Sequence, residues 1–350
     1  MIEVIPSGDA GSSLVANPAV SICIANYQGE QILVDCLDSV LSQDCPGGME
    51  VIVHDDASPD GSVSLLRNRY PNVVVLAASE NVGFSVANNR MANVARGRFL
   101  LLLNNDAALH PNALQALLEA AREWPEAIHT LPQFDWETGS LVDRGCLLDP
   151  FNNPVPNLDV ERDEVAMGIG ACLFLPRTLW HSLGGFPEWM GSLAEDLYLC
   201  GLARLRGHAV RVASGSGYRH RQGQTFGGNR TRDGRLDTTT RRRALSERNK
   251  TAAMMVLTPG AVLWPLLAMH LALLAAEGLA LTLLLRSSAP WREIYSPAVL
   301  TPFRQRHLLS QNRRSAQAQR RVSVAGYFAT THWWPRKLSL LVRHGLPTIR

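Results

Sequence analysis

Residues 80–106 constrain what this chain can fold into more than any other stretch. They read Glu-Asn-Val-Gly-Phe-Ser-Val-Ala-Asn-Asn-Arg at 80–90 and Gly-Arg-Phe-Leu-Leu-Leu-Leu-Asn-Asn-Asp at 97–106. A polar turn leads into a short helix, and an unbroken apolar run then delivers Asn104, Asn105 and Asp106. A run apolar on both faces belongs to a parallel strand covered by helices on each side. Open α/β sheets bind ligands outside the carboxyl ends of such strands. Asp106 therefore stands where a nucleotide and a metal would sit.

The same alternation runs from residue 20 onward. Apolar strands are expected at 20–25, 50–53, 73–76 and 99–103, with helices at 31–42, 62–69, 84–95 and 112–123. Strands alternating with short helices give a doubly wound, mostly parallel sheet. Residues 124–156 lack a clear period. The pattern returns as a strand over 167–175 and a helix over 193–206, and the Arg-, Gly- and Thr-rich stretch 220–250 reads as a mobile loop. The division expected is a loose leader over 1–17, a catalytic domain over 18–250 and a helical tail over 251–350.

Size and composition fit that division: 350 residues, 46% of them hydrophobic, suffice for one sizeable α/β domain and an appendage. The start carries no basic segment followed by an apolar one, so no secretory signal is expected. The six cysteines are scattered, without a Cys-x-x-Cys pair or zinc-type spacing, and read as reduced core residues of a cytoplasmic protein. The net charge of +3 hides an asymmetry, because residues 251–350 hold about a dozen Arg and Lys against Glu277 and Glu293 alone. Within that tail, 261–285 is apolar and long enough to span a bilayer, but Pro265, His270, Glu277 and Gly278 interrupt it. A charge such as Glu277 costs about 2.5 kcal/mol or more at mid-bilayer. The segment reads either as a core helix packed on the catalytic domain or as a membrane element, and the Arg residues and Trp333-Trp334 that follow favour a cytoplasmic membrane surface over a crossing.

Four places offer chemistry. Asp55 and Asp56 close the second strand and open Asp-Asp-Ala-Ser-Pro-Asp-Gly, which reads either as a ligand for a base or ribose or as an Asx-rich turn and helix cap. Asp106 is a hard oxygen donor suited to Mg²⁺ or Mn²⁺ facing a diphosphate, or a helix cap. Glu195-Asp196 opens an amphipathic run, either as acids complementing a helix dipole or as a general base facing an acceptor hydroxyl. His220, between Arg219 and Arg221, is either a solvated loop residue or a metal ligand beside two diphosphate-binding guanidiniums.

Taken in order, these segments resemble the family-two inverting glycosyltransferases of GT-A fold, nearest the bacterial rhamnosyltransferase-like branch. The resemblance rests on Val-Ser-Ile-Cys-Ile-Ala-Asn-Tyr at 20–27, Val-His-Asp-Asp-Ala-Ser-Pro-Asp-Gly-Ser at 53–62, Asn-Val-Gly-Phe at 81–84 with Asn88-Asn89, and Leu-Asn-Asn-Asp at 103–106. It continues through Gly-Ala-Cys at 170–172, Gly-Gly-Phe at 184–186 and Glu-Asp-Leu at 195–197, so that it covers about 20–250. It implies a GT-A-type α/β domain followed by a helical, apolar and basic membrane-associating extension. It further implies a nucleotide site of Asn26, Tyr27, Asp55, Asp56, Asn81, Gly83, Asn89 and Asn104, with Asp55 toward the base. Asp106 matches the last Asp of the family's Asp-x-Asp metal motif, whose first Asp is replaced by Asn104. His220 falls at a metal-side position for Mg²⁺ or Mn²⁺, and Arg219 and Arg221 at the diphosphate. Asp196 corresponds to the catalytic base, with Glu195 beside it.

The activity so implied is transfer of a sugar, dTDP-rhamnose being the donor the branch favours, from a nucleoside diphosphate to a lipid-linked or glycan hydroxyl at the inner face of the cell membrane. Two other readings compete. A nucleotidyltransferase would bring a Gly-rich phosphate loop with a nearby Lys, whereas no Lys precedes Lys250. A non-catalytic sugar-nucleotide-binding scaffold would be expected to lose the base, and Glu195-Asp196 is intact. Nucleic acid is not an expected partner, because the tail's charges alternate with apolar runs rather than forming a solvated stripe.

Overall fold

The structure, a computed structural model, describes residues 2–5, 17–222, 228–232 and 235–350. Most of the expected leader, residues 6–16, and positions 223–227 and 233–234 of the expected loop lie outside the described residues. The chain divides into two compact units. The first comprises Met1–Gly145, Asn157–Leu199 and His208–Arg221, and the second Cys146–Pro156, Cys200–Gly207 and Gln222–Arg350.

The first unit is built on an eight-stranded sheet. Its centre is β2 (Val20–Asn26), β3 (Met49–Asp55), β4 (Val74–Ala78) and β5 (Phe99–Asn104), all parallel, with β1 (Ile2–Ile5) antiparallel on β4 at the edge. Part of the expected leader is therefore a strand. The helices α1 (Leu33–Leu41), α2 (Ser62–Arg69), α3 (Phe84–Val94) and α4 (Ala113–Glu123) connect these strands or follow them, close to the positions their apolar spacing implied. Val20, Ile22 and Ile24 alternate onto the face that packs with Leu33, Leu37 and Val40 of α1 and Leu114 and Leu117 of α4. Truncating one such buried Leu to Ala costs about 2–5 kcal/mol.

Beyond β5 the sheet is not parallel. β12 (Cys172–Pro176) runs antiparallel to β5 and to β7 (Ile128–Thr130), and β13 (Val210–Val212) returns parallel to β7. The sheet is mixed, with a parallel core. The irregular region supplies a second sheet in the order β6 (Ala107–Leu109), β14 (Tyr218–His220), β8 (Gln133–Asp135) and β9 (Leu141–Asp143). Strands this short carry too few residues to show a period. All six cysteines are free, five of them buried, and burial pushes the Cys45 thiol up to about 11 even where it is half-buried.

The second unit opens its sequence with a two-stranded ladder, β10 (Cys146–Leu148) and β11 (Pro154–Pro156), and continues after Gln222 with β15 (Gly228–Arg232) and β16 (Arg235–Thr238). A short last strand, β17 (Thr348–Ile349), adds parallel to β16, and most of the remainder is helical. α7 (Thr240–Leu257) starts at Thr239, whose hydroxyl accepts the Arg242 N–H at 3.2 Å. The expected division at 250/251 falls inside this helix, so it is not a boundary. About a third of the stretch read as a loop, 240–250, is helix, and much of that helix's apolar packing comes from Ala252, Ala253, Met254 and Val256, beyond the window in which no period is visible. α8 (Leu263–Leu284), α9 (Ser296–Arg304), α10 (Arg306–Ala318), α11 (Val324–Tyr327) and α12 (Arg336–His344) complete the unit.

Candidate active site

Parallel register brings the first set of polar residues to one level. Asn26 pairs with Asp55 across β2 and β3, and Ala25 with Asn104 across β2 and β5, so three strands end together at the sheet's carboxyl edge. Asp55, 1% exposed, accepts from Asn26 Nδ2 at 2.8 Å, from Ser58 N at 2.9 Å and from Ser58 Oγ at 2.8 Å. A carboxylate offers about four lone-pair sites, so one remains. Asn26 accepts in turn from Asn105 Nδ2 at 2.8 Å, which links the Asp55 loop to the residue before Asp106. Gly29 is required above this bridge, because a Cβ there would stand 2.0 Å from Asn26 Oδ1 and 2.6 Å from Asn105 Nδ2.

Asp56 does something else. Its two oxygens accept the N–H groups of Val82 at 2.7 Å and Gly83 at 2.8 Å, at the amino end of α3, where an anion suits the helix dipole. In this structure Asp56 acts as the cap of α3. Asn89 is likewise held within the fold: its amide donates to Phe186 O at 2.9 Å and Glu188 Oε1 at 3.0 Å and accepts Phe186 N at 2.9 Å. It pins the Gly184-Gly185-Phe186 turn, where a Cβ on Gly185 would meet Asn89 Oδ1 at 2.5 Å. Asn81 and Tyr27 are exposed, Tyr27 at the end of β2 with 41% of its surface free.

Asp106, 4% exposed, faces His220, with Oδ1 and Nε2 3.1 Å apart. Behind the ring, His220 Nδ1 lies 3.1 Å from Gln133 Oε1, which also accepts the Tyr218 hydroxyl at 2.9 Å. A carboxamide oxygen only accepts, so Nδ1 donates to it and Nε2 is the ring nitrogen turned to the carboxylate. Two acceptors at 3.1 Å repel unless a proton or a cation lies between them. Asn104 lies beside them: its Nδ2 is 3.5 Å from His220 Nε2, and its Oδ1 is buried with no hydrogen-bond partner. Among the described residues no cluster of three or more His, Cys, Asp or Glu forms. The groups that face each other are one carboxylate and one imidazole, with the unpaired Asn104 amide oxygen as a neighbour, a sparse set that suits a hard divalent ion taking most of its ligands from phosphate and water.

The two arginines flanking His220 do not face this centre. Arg219 is exposed on the opposite face of β14, as strand alternation requires when Tyr218 and His220 both turn to Gln133. Arg221 donates its backbone N–H to Asp106 O at 3.0 Å, but its guanidinium pairs with Asp35 at 2.6 Å and stacks 3.7 Å over Trp136. These contacts give neither guanidinium a part in the centre, and the diphosphate role of both remains an expectation.

Glu195-Asp196 opens α6 (Glu195–Leu205), with Glu195 buried and Asp196 half-buried. Asp196 Oδ2 accepts the Gly170 N–H at 2.9 Å, and Oδ1 that of Leu197 at 2.7 Å. Ala171, the next residue after Gly170, accepts the Asn104 N–H at 3.1 Å. Two backbone steps thus tie the carboxylate to the end of β5. Ser85 Oγ donates to Gly191 O at 2.8 Å, drawing the start of α3 to the turn that precedes Glu195. Gly170 is one of the motif residues, whereas Asn105, Ser58 and Gln133 were missed. Asn105 was visible as the middle of Asn-Asn-Asp; Gln133 sits on a three-residue strand and left no signal.

Comparison with known proteins agrees with this geometry. The chain is 29% identical over 182 residues to the N-acetylglucosaminyl-diphospho-decaprenol L-rhamnosyltransferase of Mycobacterium tuberculosis, covering 43% of this chain and 59% of that protein. It is 28% identical over 205 residues to the poly(ribitol-phosphate) beta-glucosyltransferase of Bacillus spizizenii, covering 57% of this chain and 31% of that protein. The chain thus spans less than two thirds of either relative. Among solved structures, S. aureus TarS 1-349 shares the fold at a TM-score of 0.55 and 17% identity, over 90% of this chain and 93% of that one. Residues 21–180 match the family described as Glycosyl transferase family 2, and the chain carries a domain of that family.

Proposed function

We propose that the chain is an inverting glycosyltransferase of cell-envelope glycan synthesis, moving a sugar from a nucleoside diphosphate to a hydroxyl of a lipid-linked or glycan acceptor. One observation carries the reading: the Asn104–Ala171 and Gly170–Asp196 bonds set a fixed carboxylate beside the strand end that holds Asp106 and His220. The family resemblance, and relatives named for transfer to a decaprenol diphosphate and to poly(ribitol phosphate), support it. dTDP-rhamnose is the donor to test first, and the inner face of the membrane is the expected location.

In this mechanism the remaining lone pair of Asp55 receives a polar edge of the base, with Tyr27 and Asn81 exposed beside it. Asp106, His220 and the Asn104 oxygen would hold Mg²⁺ or Mn²⁺, which when bound neutralises charge on the leaving diphosphate. Gln133 holds the His220 ring with its Nε2 toward that position. Asp196, oriented by the Gly170 and Leu197 amides, takes the acceptor hydroxyl's proton as its oxygen attacks the anomeric carbon. Glu195 is the neighbour on the acceptor side. The test is a panel of nucleotide sugars with each metal, followed by product anomer assignment by NMR. A retained anomeric configuration, or hydrolysis and transfer absent for every donor with both metals, would sink it.

A further inference from the structure

α8 is apolar around its whole circumference and keeps its few polar side chains off the solvent face. Its polar residues point into the second unit: His270, 3% exposed, meets Thr251 Oγ1 at 2.9 Å, and Glu277 is bonded to Arg243 and, at 2.8 Å, to Lys337. The same Lys337 reaches the buried Glu247 at 2.7 Å, and Lys250 meets Glu247 at 3.2 Å. The outward face has no polar side chain to offer water. It presents Trp264 (64% exposed), Met269, Leu273, Leu279 and Leu283 (77%) along 22 residues, about 33 Å at 1.5 Å per residue. α12 repeats the pattern with Leu338, Leu341 and Val342 after the exposed pair Trp333-Trp334. Two thirds of the chain's large exposed apolar side chains, 16 of 24, lie from Trp264 onward among the described residues. Soluble proteins rarely leave so much apolar surface together.

Three features name the occupant. A face of Met and Leu side chains, with the Trp264 indole at one end as its one donor, suits hydrocarbon. Cations flank it, with Arg286, Arg292, Arg304 and Arg306 exposed against Glu293 alone in that part of the chain, which complements anionic headgroups. Exposed Trp264, Trp333 and Trp334 combine an apolar ring with one N–H donor, the chemistry of the interface. The inward ion pairs exclude a crossing, because pulling α8 into a bilayer strips Glu277 from both of its cations.

We propose that α8 and α12 dock the second unit in the plane of an anionic bilayer, α8 lying along the surface with its apolar face sunk to the acyl boundary. This extends the membrane location in the reading above, and its test does not involve sugar transfer. A protein that floats on vesicles but transfers no sugar leaves the docking standing and defeats the enzymatic reading.

The experiment floats the full chain with vesicles of phosphatidylcholine alone and with 30% phosphatidylglycerol, roughly the charge density of an anionic leaflet. The expected result is at least about tenfold stronger partitioning to the anionic vesicles, from several cations near the surface at about 1 kcal/mol each. Leu279→Glu with Leu283→Glu should lose about tenfold or more in partitioning, while the thermal midpoint stays put because both side chains are exposed in the free protein. Brominated lipids read depth: bromines near the headgroup should quench tryptophan more than bromines deep in the acyl chain, and a W264F/W333F/W334F variant should lose that quenching. Failure of the parent to float with either vesicle overturns the proposal. So does equal flotation of the double variant, stronger deep quenching, or a parent dimer in solution that binds no lipid and that the double variant dissolves.

Discussion

Asn105→Ala tests the bridge between the two sides of the site. Asn105 Nδ2 is the donor that Asn26 Oδ1 receives at 2.8 Å, and Asn26 is 1% exposed, so water cannot replace the lost partner without entering the core. A buried acceptor left unpaired costs about 1–3 kcal/mol, and we expect a loss of that size in global stability by urea titration. The functional consequence is more specific. Asn26 uses its other end on Asp55, so a carboxamide free to rotate ceases to fix that carboxylate. Nucleotide affinity measured by calorimetry with UDP and dTDP should fall about fivefold or more, with and without metal, because the bridge acts on the base side. Asn105→Asp should be worse than Ala, since it places an anionic acceptor against Asn26 Oδ1. An Asn105→Ala protein within about 0.3 kcal/mol of the parent, or an Asp variant as stable as the Ala variant, would refute the reasoning that this bond is buried, donor-specific and carried into the site.

Asp196→Asn should abolish transfer, by about 10²-fold or more in kcat, while donor binding by calorimetry stays within twofold, since an amide cannot take a proton and the one backbone bond it must give up, to Gly170 or Leu197, lies on the acceptor side. Asp106→Ala should remove the metal dependence of nucleoside diphosphate binding, and calorimetry with and without Mn²⁺ would contradict the donor set if the dependence persisted. Burial pushes the Asp143 carboxyl up to about 7 from an ordinary 3.8, so the folded state binds a proton that the unfolded state has released over that window. Stability should therefore fall as pH rises from about 4 to 7, by up to about 4 kcal/mol, and urea titrations of Asp143→Asn across that range should show the slope gone.

The parallel core was legible because each strand there is five to seven residues long and each helix spans two turns or more. Such lengths let period 2 and period 3.6 be told apart. β7, β8 and β9 were not legible, since three residues cannot display a period, and Gln133 with its hold on His220 was lost with them. The motif Asp55-Asp56 was seen, but not its division of labour. Which carboxylate turns to Asn26 and which to Val82 and Gly83 depends on strand register and on Ala57 at φ 60°, a left-handed conformation that propensity does not suggest. That Arg219 lies on the face of β14 opposite His220 was hidden by treating 220–250 as a loop, since His220 ends a strand.

Of seven non-glycine residues at positive φ among the described residues, four lie on loops around the site, the others being Asn112, Asn152 and Arg286. Gln28 (φ 52°), Ala57 (60°), Leu193 (72°) and Ala194 (69°) are all non-glycine residues in left-handed conformation, the first two on the loops after β2 and β3 and the last two directly before Glu195. Each costs about 1–3 kcal/mol and persists only where surrounding bonds over-determine it. Those bonds are visible: Gln28 N donates to Ser58 Oγ at 3.0 Å, Ser58 holds Asp55, and Ser85 holds Gly191 ahead of Leu193. The network that orients the carboxylates is therefore also what keeps these loops strained. A substitution that breaks it should release several residues together, which is why the loss at Asn105 is expected in nucleotide affinity as well as in stability.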